Sequence, residues 1–151
     1  MNMDRLQAQL ALEEGERLAA YRDTEGILTV GIGHNCIARP VDGVATVGDR
    51  ITPETCKALF LADIDDTIRQ LDEHLPWWSA LDDVRQNVII DMCFNMGIKT
   101  LLTFNNTLAA IEAGDWPAAV AGMKKSRWAR QVGQRAVRLQ GMMETGEWPT
   151  L

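Results

Sequence analysis

Apolar residues recur at helical spacing over most of this chain and at strand spacing over one short part of it. Leu6, Leu10 and Leu12 mark a short amphipathic helix, and Gly15 stands where a C-terminal cap belongs, so Glu14 is predicted to end that helix. The period then changes. Leu18 to Tyr21 reads as a strand, Asp23-Thr24-Glu25-Gly26 as a turn, and Ile27 to Ile32 as a returning strand in which Thr29 and Gly31 interleave apolar residues. From Asn35 to Arg50, Pro40, Gly43 and Gly48 break any period, which predicts a loop holding at most a short strand at Val44 to Val47.

Helical spacing resumes with a strong start signal. Thr52 supplies a cap hydroxyl, Pro53 fits the first helical position, and Glu54 places a carboxylate at the positive end of the dipole. Ile64, Ile68, Leu71 and Leu75 continue the stripe, so one long helix is predicted from Pro53 to His74, ended by Pro76. Val84, Val88, Met92 and Met96, with Ile89 and Cys93 beside them, describe a buried central helix closed by Gly97. Shorter helices fit Asn106 to Ala113, Pro117 to Met123, and Gln134 to Met143. Trp116, Trp128 and Trp148 fall in this bundle, where large apolar side chains more often pack inside than serve as sugar platforms. The fold class predicted is α+β. A small hairpin-containing lobe lies at about residues 12–60, a bridging helix at about 53–74, and a helical lobe at about 75–151, completed by residues 1–11.

Composition narrows this picture. A chain of 151 residues supports one compact unit with a sizeable core. No apolar run approaches the roughly 20 residues of a membrane span, and the first residues lack the basic start and apolar core of a signal peptide. Synthesis in the cytoplasm without stable membrane insertion is the expectation. Cys36, Cys56 and Cys93 are odd in number and form no CxxC pair, and His34 and His74 stand far apart, so neither a disulfide framework nor a metal site is predicted.

The formal charge is −6, which disfavours a general polyanion binder and hence nucleic acid as partner. Six cations nevertheless fall between positions 124 and 138 without one acid: Lys124, Lys125, Arg127, Arg130, Arg135 and Arg138. Such a run is most often a solvated helix face. A lining for an anionic glycan and a nucleic-acid patch are the other readings.

The candidate chemistry sits at the change of period. A helix ending at Glu14 and a hairpin carrying Asp23 at its turn and Thr29 on its returning strand would bring two carboxylates and a hydroxyl to one cleft, which is what glycosidic hydrolysis requires. Spacing alone is weak evidence. A surface helix end, an Asx turn and an ordinary strand threonine account for the same residues.

The residues between them are more specific. Glu14-Gly15, Tyr21, Asp23-Thr24-Glu25-Gly26, Thr29 and Gly31-Ile32-Gly33-His34 closely resemble the catalytic region of the T-even phage lysozymes, the muramidases of glycoside hydrolase family 24. The resemblance resumes at Leu59-Phe60 with Asp63, at Phe94-Asn95-Met96-Gly97, and at Lys125-Ser126-Arg127-Trp128 followed by Arg135-Ala136-Val137-Arg138. The family carries a longer segment with a small helix where this chain has residues 35–50, so the chain departs from the pattern there.

That resemblance implies a lysozyme-like fold and hydrolysis of the β-1,4 bond between N-acetylmuramic acid and N-acetylglucosamine in peptidoglycan, with no cofactor. It implies Glu14 as general acid, Asp23 as the group that orients or deprotonates the attacking water, and Thr29 as a hydrogen-bond partner of that water. Phe94 and Thr107 match positions that touch the glycan, and Arg135 matches the arginine that pairs with the acid. His34 and Asp63 match a structural ion pair. A monomer acting on the periplasmic wall after holin-dependent release from the host cytoplasm completes the implied picture. Two rivals remain at this point: a lytic transglycosylase, against which Asp23 and Thr29 count, and a non-catalytic wall-binding module, against which retention of all three residues counts.

Overall fold

A computed structural model describes residues 1–150 and divides the chain into two compact units, Gln7–Asp66 and a second made of Met1–Leu6 with the chain from Thr67 onward. The dividing points fall inside two helices, α1 (Met3–Glu14) and α2 (Pro53–His74).

In the first unit, α1 ends where glycine permits it. Gly15 takes φ 72, and its amide donates to the Ala11 carbonyl at 2.9 Å. Leu6 and Leu10 are fully buried, whereas Leu12 is 64 % exposed, a correction to the predicted apolar face. The reason is angular: Leu12 stands two residues, or about 200°, beyond Leu10 on a helix, so the two cannot share a face.

Three antiparallel strands follow in the order β1 (Arg17–Arg22), β2 (Leu28–Gly31) and β3 (His34–Asn35). Tyr21 pairs with Thr29 across β1 and β2, and Thr29 with Asn35 across β2 and β3. Alternation then sorts the side chains. Ala20, Leu28 and Val30 join Cys36 and Val44 in a buried cluster sealed by Val41, Ile51 and Leu59; Tyr21 and Thr29, one residue out of step, belong to the other side of the sheet.

Residues 36–50 form no strand at Val44 to Val47, contrary to expectation; Val44 makes only an isolated bridge to Val41. Polar side chains shape this loop instead. Asn35 Oδ1 accepts from the amides of Ile37 and Ala38, each at 2.9 Å, and Asp49 Oδ2 accepts from those of Ala45 and Thr46 at 2.8 and 3.0 Å. The end of the loop lies along β1, where the Ala20 amide donates to Asp49 O at 2.7 Å and the Ile51 amide to Leu18 O at 2.9 Å. Thr52 then caps α2, its hydroxyl accepting from the Thr55 amide at 3.1 Å.

The second unit is helical. After a 3₁₀ turn at Pro76–Ala80 come α3 (Asp83–Met96), α4 (Ile98–Leu101), α5 (Asn105–Ala113), α6 (Trp116–Lys125), α7 (Arg127–Val132) and α8 (Gln134–Thr145). Every residue of α3 from Val84 to Cys93 is buried, as a helix at the centre of a bundle must be. Its buried polar groups are paired: Asn87 Nδ2 donates to Asn2 O at 3.1 Å, and Arg85 donates to the Met143 and Glu144 carbonyls at 2.7 and 3.0 Å, closing the open end of α8. Trp128 is buried and donates to Asn95 Oδ1 at 2.7 Å, while Trp116 and Trp148 are half-buried beneath the guanidinium groups of Arg85 and Arg5. Among the described residues no helix is long and apolar enough to cross a membrane.

Candidate active site

The predicted acid, Glu14, is the last residue of α1, and the backbone beyond β2 approaches it closely. Gly33 has φ 66, and a side chain there would bring its Cβ within 2.9 Å of Glu14 Oε2. Glycine at this position is therefore favoured by the left-handed backbone, and the Glu14 carboxylate lies in the space that a side chain would enter.

Asp23 opens the turn between β1 and β2. Its Oδ1 accepts from the amides of Glu25 at 2.8 Å and Ile27 at 2.9 Å, and its own amide donates to Ile27 O at 3.0 Å. The Asx turn so formed fixes the carboxyl group and occupies one oxygen, leaving Oδ2 as the oxygen directed to other work. Glu25, a neighbour on the turn, is exposed.

Thr29 is buried, with 4 % of its surface exposed, and its hydroxyl donates to Ile27 O at 2.8 Å. A hydroxyl that has spent its proton in this way presents only lone pairs, so it can accept from a water but not donate to one.

Tyr21 joins these three residues, and the sequence motif did not mark it for a role of its own. It faces Thr29 across the sheet, and Arg17 stacks on its ring at 3.8 Å. Burial pushes its phenol up from the ordinary tyrosine value, and the negative charges of Glu14 and then Asp23 add to that, while Arg17 opposes them. One phenol thus feels both candidate carboxylates. Its legible signal is register: a residue two before the Asp and directly across from the Thr lies on the same side of the sheet.

His34 and Asp63 make a supporting contact. His34 Nδ1 lies 2.7 Å from Asp63 Oδ2, and Nε2 lies 2.9 Å from the Arg39 carbonyl. Both partners accept, so the contacts favour a ring protonated at both nitrogens. Its pKa is raised, chiefly by the hydrogen bond to Asp63 against the opposing cost of burial. Arg39 adds ion pairs to Asp63 at 3.7 Å and Asp66 at 2.6 Å, so the loop after β3 is held to α2 by three charged groups.

The remaining predicted residues belong to the helical unit. Arg135 is buried on α8 and donates from Nε to Asp91 Oδ1 at 2.8 Å, Asp91 being fully buried on α3. Asp91 carried no signal in the sequence beyond its place in the central helix. Phe94 is half-buried near the end of α3. Thr107 is buried on α5 with its hydroxyl lodged against Gly122 of α6, where a side chain at 122 would collide with it. Its hydroxyl therefore fills the seam between α5 and α6.

The cysteines are all buried thiols. Cys56 is pushed up to about 11, first by burial and then by its hydrogen bond to Glu16, so it is a protonated packing group at neutral pH rather than a nucleophile.

The chain is similar to several known proteins. Residues 11–145 match the model of the phage lysozyme family. The chain is 34 % identical to the pre-baseplate central spike protein Gp5 of Enterobacteria phage T4 over 91 % of its own length, but spans only 27 % of that protein. It is also 34 % identical to the probable T4-type lysozyme 1 of Dictyostelium discoideum, covering 91 % of this chain and 92 % of that one. Similarity to the endolysin of Salmonella phage P22 is 32 % over 74 % of this chain and 73 % of that protein.

Proposed function

We propose, from the premise that this chain belongs to the phage lysozyme family of glycoside hydrolases, that it hydrolyses the β-1,4 bond between N-acetylmuramic acid and N-acetylglucosamine in bacterial peptidoglycan. The observation that carries the reading is that the charges of Glu14 and Asp23 both push up the phenol of Tyr21, which pairs with Thr29 across the sheet.

Glu14 gives its proton to the glycosidic oxygen as the bond breaks. A water on the opposite face of the sugar donates one hydrogen bond to the Thr29 hydroxyl, which can only accept, and its other proton to Asp23 Oδ2, the oxygen not held by the turn. Two carboxyl groups with a water between them invert the anomeric carbon, so a β-linked glycan first yields the α-anomer. By the family pattern, Phe94 and Thr107 are assigned to glycan binding and Arg135 to structural support. The setting that fits this chemistry is host lysis, with release of the enzyme to the wall by a holin.

Clearing of outer-membrane-permeabilised cells, compared between the wild-type protein and Glu14→Gln, tests the reading, and proton NMR of a fresh digest tests its stereochemistry. A first-formed β-anomer would make Asp23 a nucleophile. Products ending in 1,6-anhydro-muramic acid would instead identify a transglycosylase.

A further inference from the structure

Two glycine-bearing segments border Glu14. Gly15 follows it directly, and the turn from Gly31 to Gly33 passes it, with Gly33 against the carboxylate. Glycine lets the backbone take these paths but carries no side chain to hold it there. The placement of Glu14 therefore depends on what anchors the residue beside each glycine, Glu16 on one side and Ile32 on the other.

One side chain anchors both. Cys56 lies in the first turn of α2, just after the Thr52 cap, with 1 % of its surface exposed. A Cβ on Gly31 would stand 3.2 Å from its Sγ and 3.9 Å from its Cα, so the turn after β2 runs directly over the helix at this point. The Ile32 amide donates to Sγ, and the thiol donates to the Glu16 carboxylate. Ile32 is buried, so its amide has to find its partner within the protein. Glu14, Glu16, the Gly31–Gly33 turn and Cys56 all belong to the one unit Gln7–Asp66.

A thiol suits a joint of this kind. It offers one weak donor and one soft acceptor on a small body, so it fits beneath a glycine and still bonds in two directions. Burial and Glu16 keep it protonated at neutral pH, which keeps the donor in place. A residue present only to fill space would need neither polar contact.

We propose that Cys56 is a positioning residue for the acid: it ties the segment after Glu14 to the Ile32–Gly33 turn and so fixes the carboxylate against its wall. The role rests on the reading of Glu14 as general acid. Placement matters because a misplacement of about 1 Å in a reacting group can cost about 10²-fold in rate. Without the tie both segments would still visit the correct positions part of the time, so the expected loss is smaller than that.

The test compares Cys56→Ala, Cys56→Ser and Glu16→Ala, each in the full chain. Cys56→Ala should lower kcat on a defined glycan about ten-fold with KM within about two-fold, the pattern of a group felt only in the transition state. Cys56→Ser keeps a donor and an acceptor and should recover kcat to within about three-fold of wild type. Glu16 is exposed, so Glu16→Ala removes the thiol's acceptor without opening the core. It should lower kcat about three-fold by itself and have no effect in the Cys56→Ala background, where the bond is already gone. Exchange of the Ile32 amide should quicken about ten-fold in Cys56→Ala and slow again in Cys56→Ser. Unchanged kcat in Cys56→Ala, even with lowered melting, overturns the proposal and leaves Cys56 a packing residue. So does a Cys56→Ser protein as slow as Cys56→Ala. If Cys56→Ala does not fold, Glu16→Ala still decides, since a wild-type kcat there overturns the tie. Amide exchange needs no turnover, so a wild-type protein that cleaves no glycan would sink the reading of Glu14, whereas unchanged exchange at Ile32 would sink the role of Cys56.

Discussion

The hairpin unit and the helical unit use buried polar groups to opposite ends. In the hairpin unit, Asp23 accepts two local backbone bonds on one oxygen and Thr29 donates one, and both keep further capacity: Asp23 its second oxygen, Thr29 its lone pairs. In the helical unit the polar groups are consumed in joining elements. Arg85 spends three donor groups on Asp82, Met143 and Glu144, and Arg135 meets the fully buried Asp91. The lesson is that burial alone does not mark a functional polar residue. What distinguishes Asp23 and Thr29 from Arg85 is that each still has an oxygen lone pair to offer.

The largest effect that would break this comparison is on Glu14. Glu14→Gln keeps the shape and removes the transferable proton, so lysis of permeabilised cells should fall about 10²- to 10⁴-fold with melting unchanged. A variant that clears cells within ten-fold of wild type would remove Glu14 from the role of acid.

Asp91→Ala is the converse case. It strands the Arg135 guanidinium in the core, and loss of one member of a buried pair costs about 3 to 5 kcal/mol. Urea unfolding should show that loss in the midpoint with little change in slope. A stability loss below about 1 kcal/mol would mean that Arg135 finds equal compensation elsewhere.

How far these residues could be read from the sequence follows the same division. Elements with strong ends were legible: Thr52-Pro53-Glu54 and Pro76 bound the helix at Pro53–His74, and Gly97 and Gly114 close α3 and α5. Elements whose pairing comes from distant chain were not. β3 is two residues long, α4 four and α7 six, too short for a period to show. Residues 48–51 lie along β1 through backbone bonds that no side-chain pattern announces. At the site, the motif supplied Glu14, Asp23 and Thr29, whereas Asp91 and the seam around Thr107 depend on which helices meet. A periodic stripe says that a helix has a buried face, not which partner fills it.

His34→Ala tests a contact that lies between the two kinds. Asp63 is partly exposed, so the cost should fall near about 3 kcal/mol, the lower end for such pairs. The folded-state pKa of His34 is raised above its ordinary value of 6.5, so its contribution is full below that value and is lost as pH rises through the folded-state pKa. The stability difference between wild type and His34→Ala should therefore be largest near pH 5 and shrink at alkaline pH. A difference that grew with pH would mean that the ring is neutral in the folded protein.

The smallest effect expected is also the sharpest probe of the comparison, because it removes one atom. Tyr21→Phe keeps the ring, its packing and the stacked Arg17, and takes away only the hydroxyl that feels Glu14 and Asp23. If Tyr21 belongs with the groups that keep capacity to spare, its hydroxyl offers a hydrogen bond to the glycan or the ordered water, worth about 0.5 to 1.5 kcal/mol. That corresponds to a fall of about two- to ten-fold in kcat/KM, with stability changed by less than about 0.5 kcal/mol. If Tyr21 is instead a packing residue like Trp128, neither quantity should move, since the ring that packs is still there. A loss of stability without a loss of rate would place it with Arg85, its hydroxyl used to hold elements together. Measuring kcat/KM on a defined muropeptide alongside urea unfolding separates the three outcomes, and the first is the one that the register of Tyr21 against Thr29 predicts.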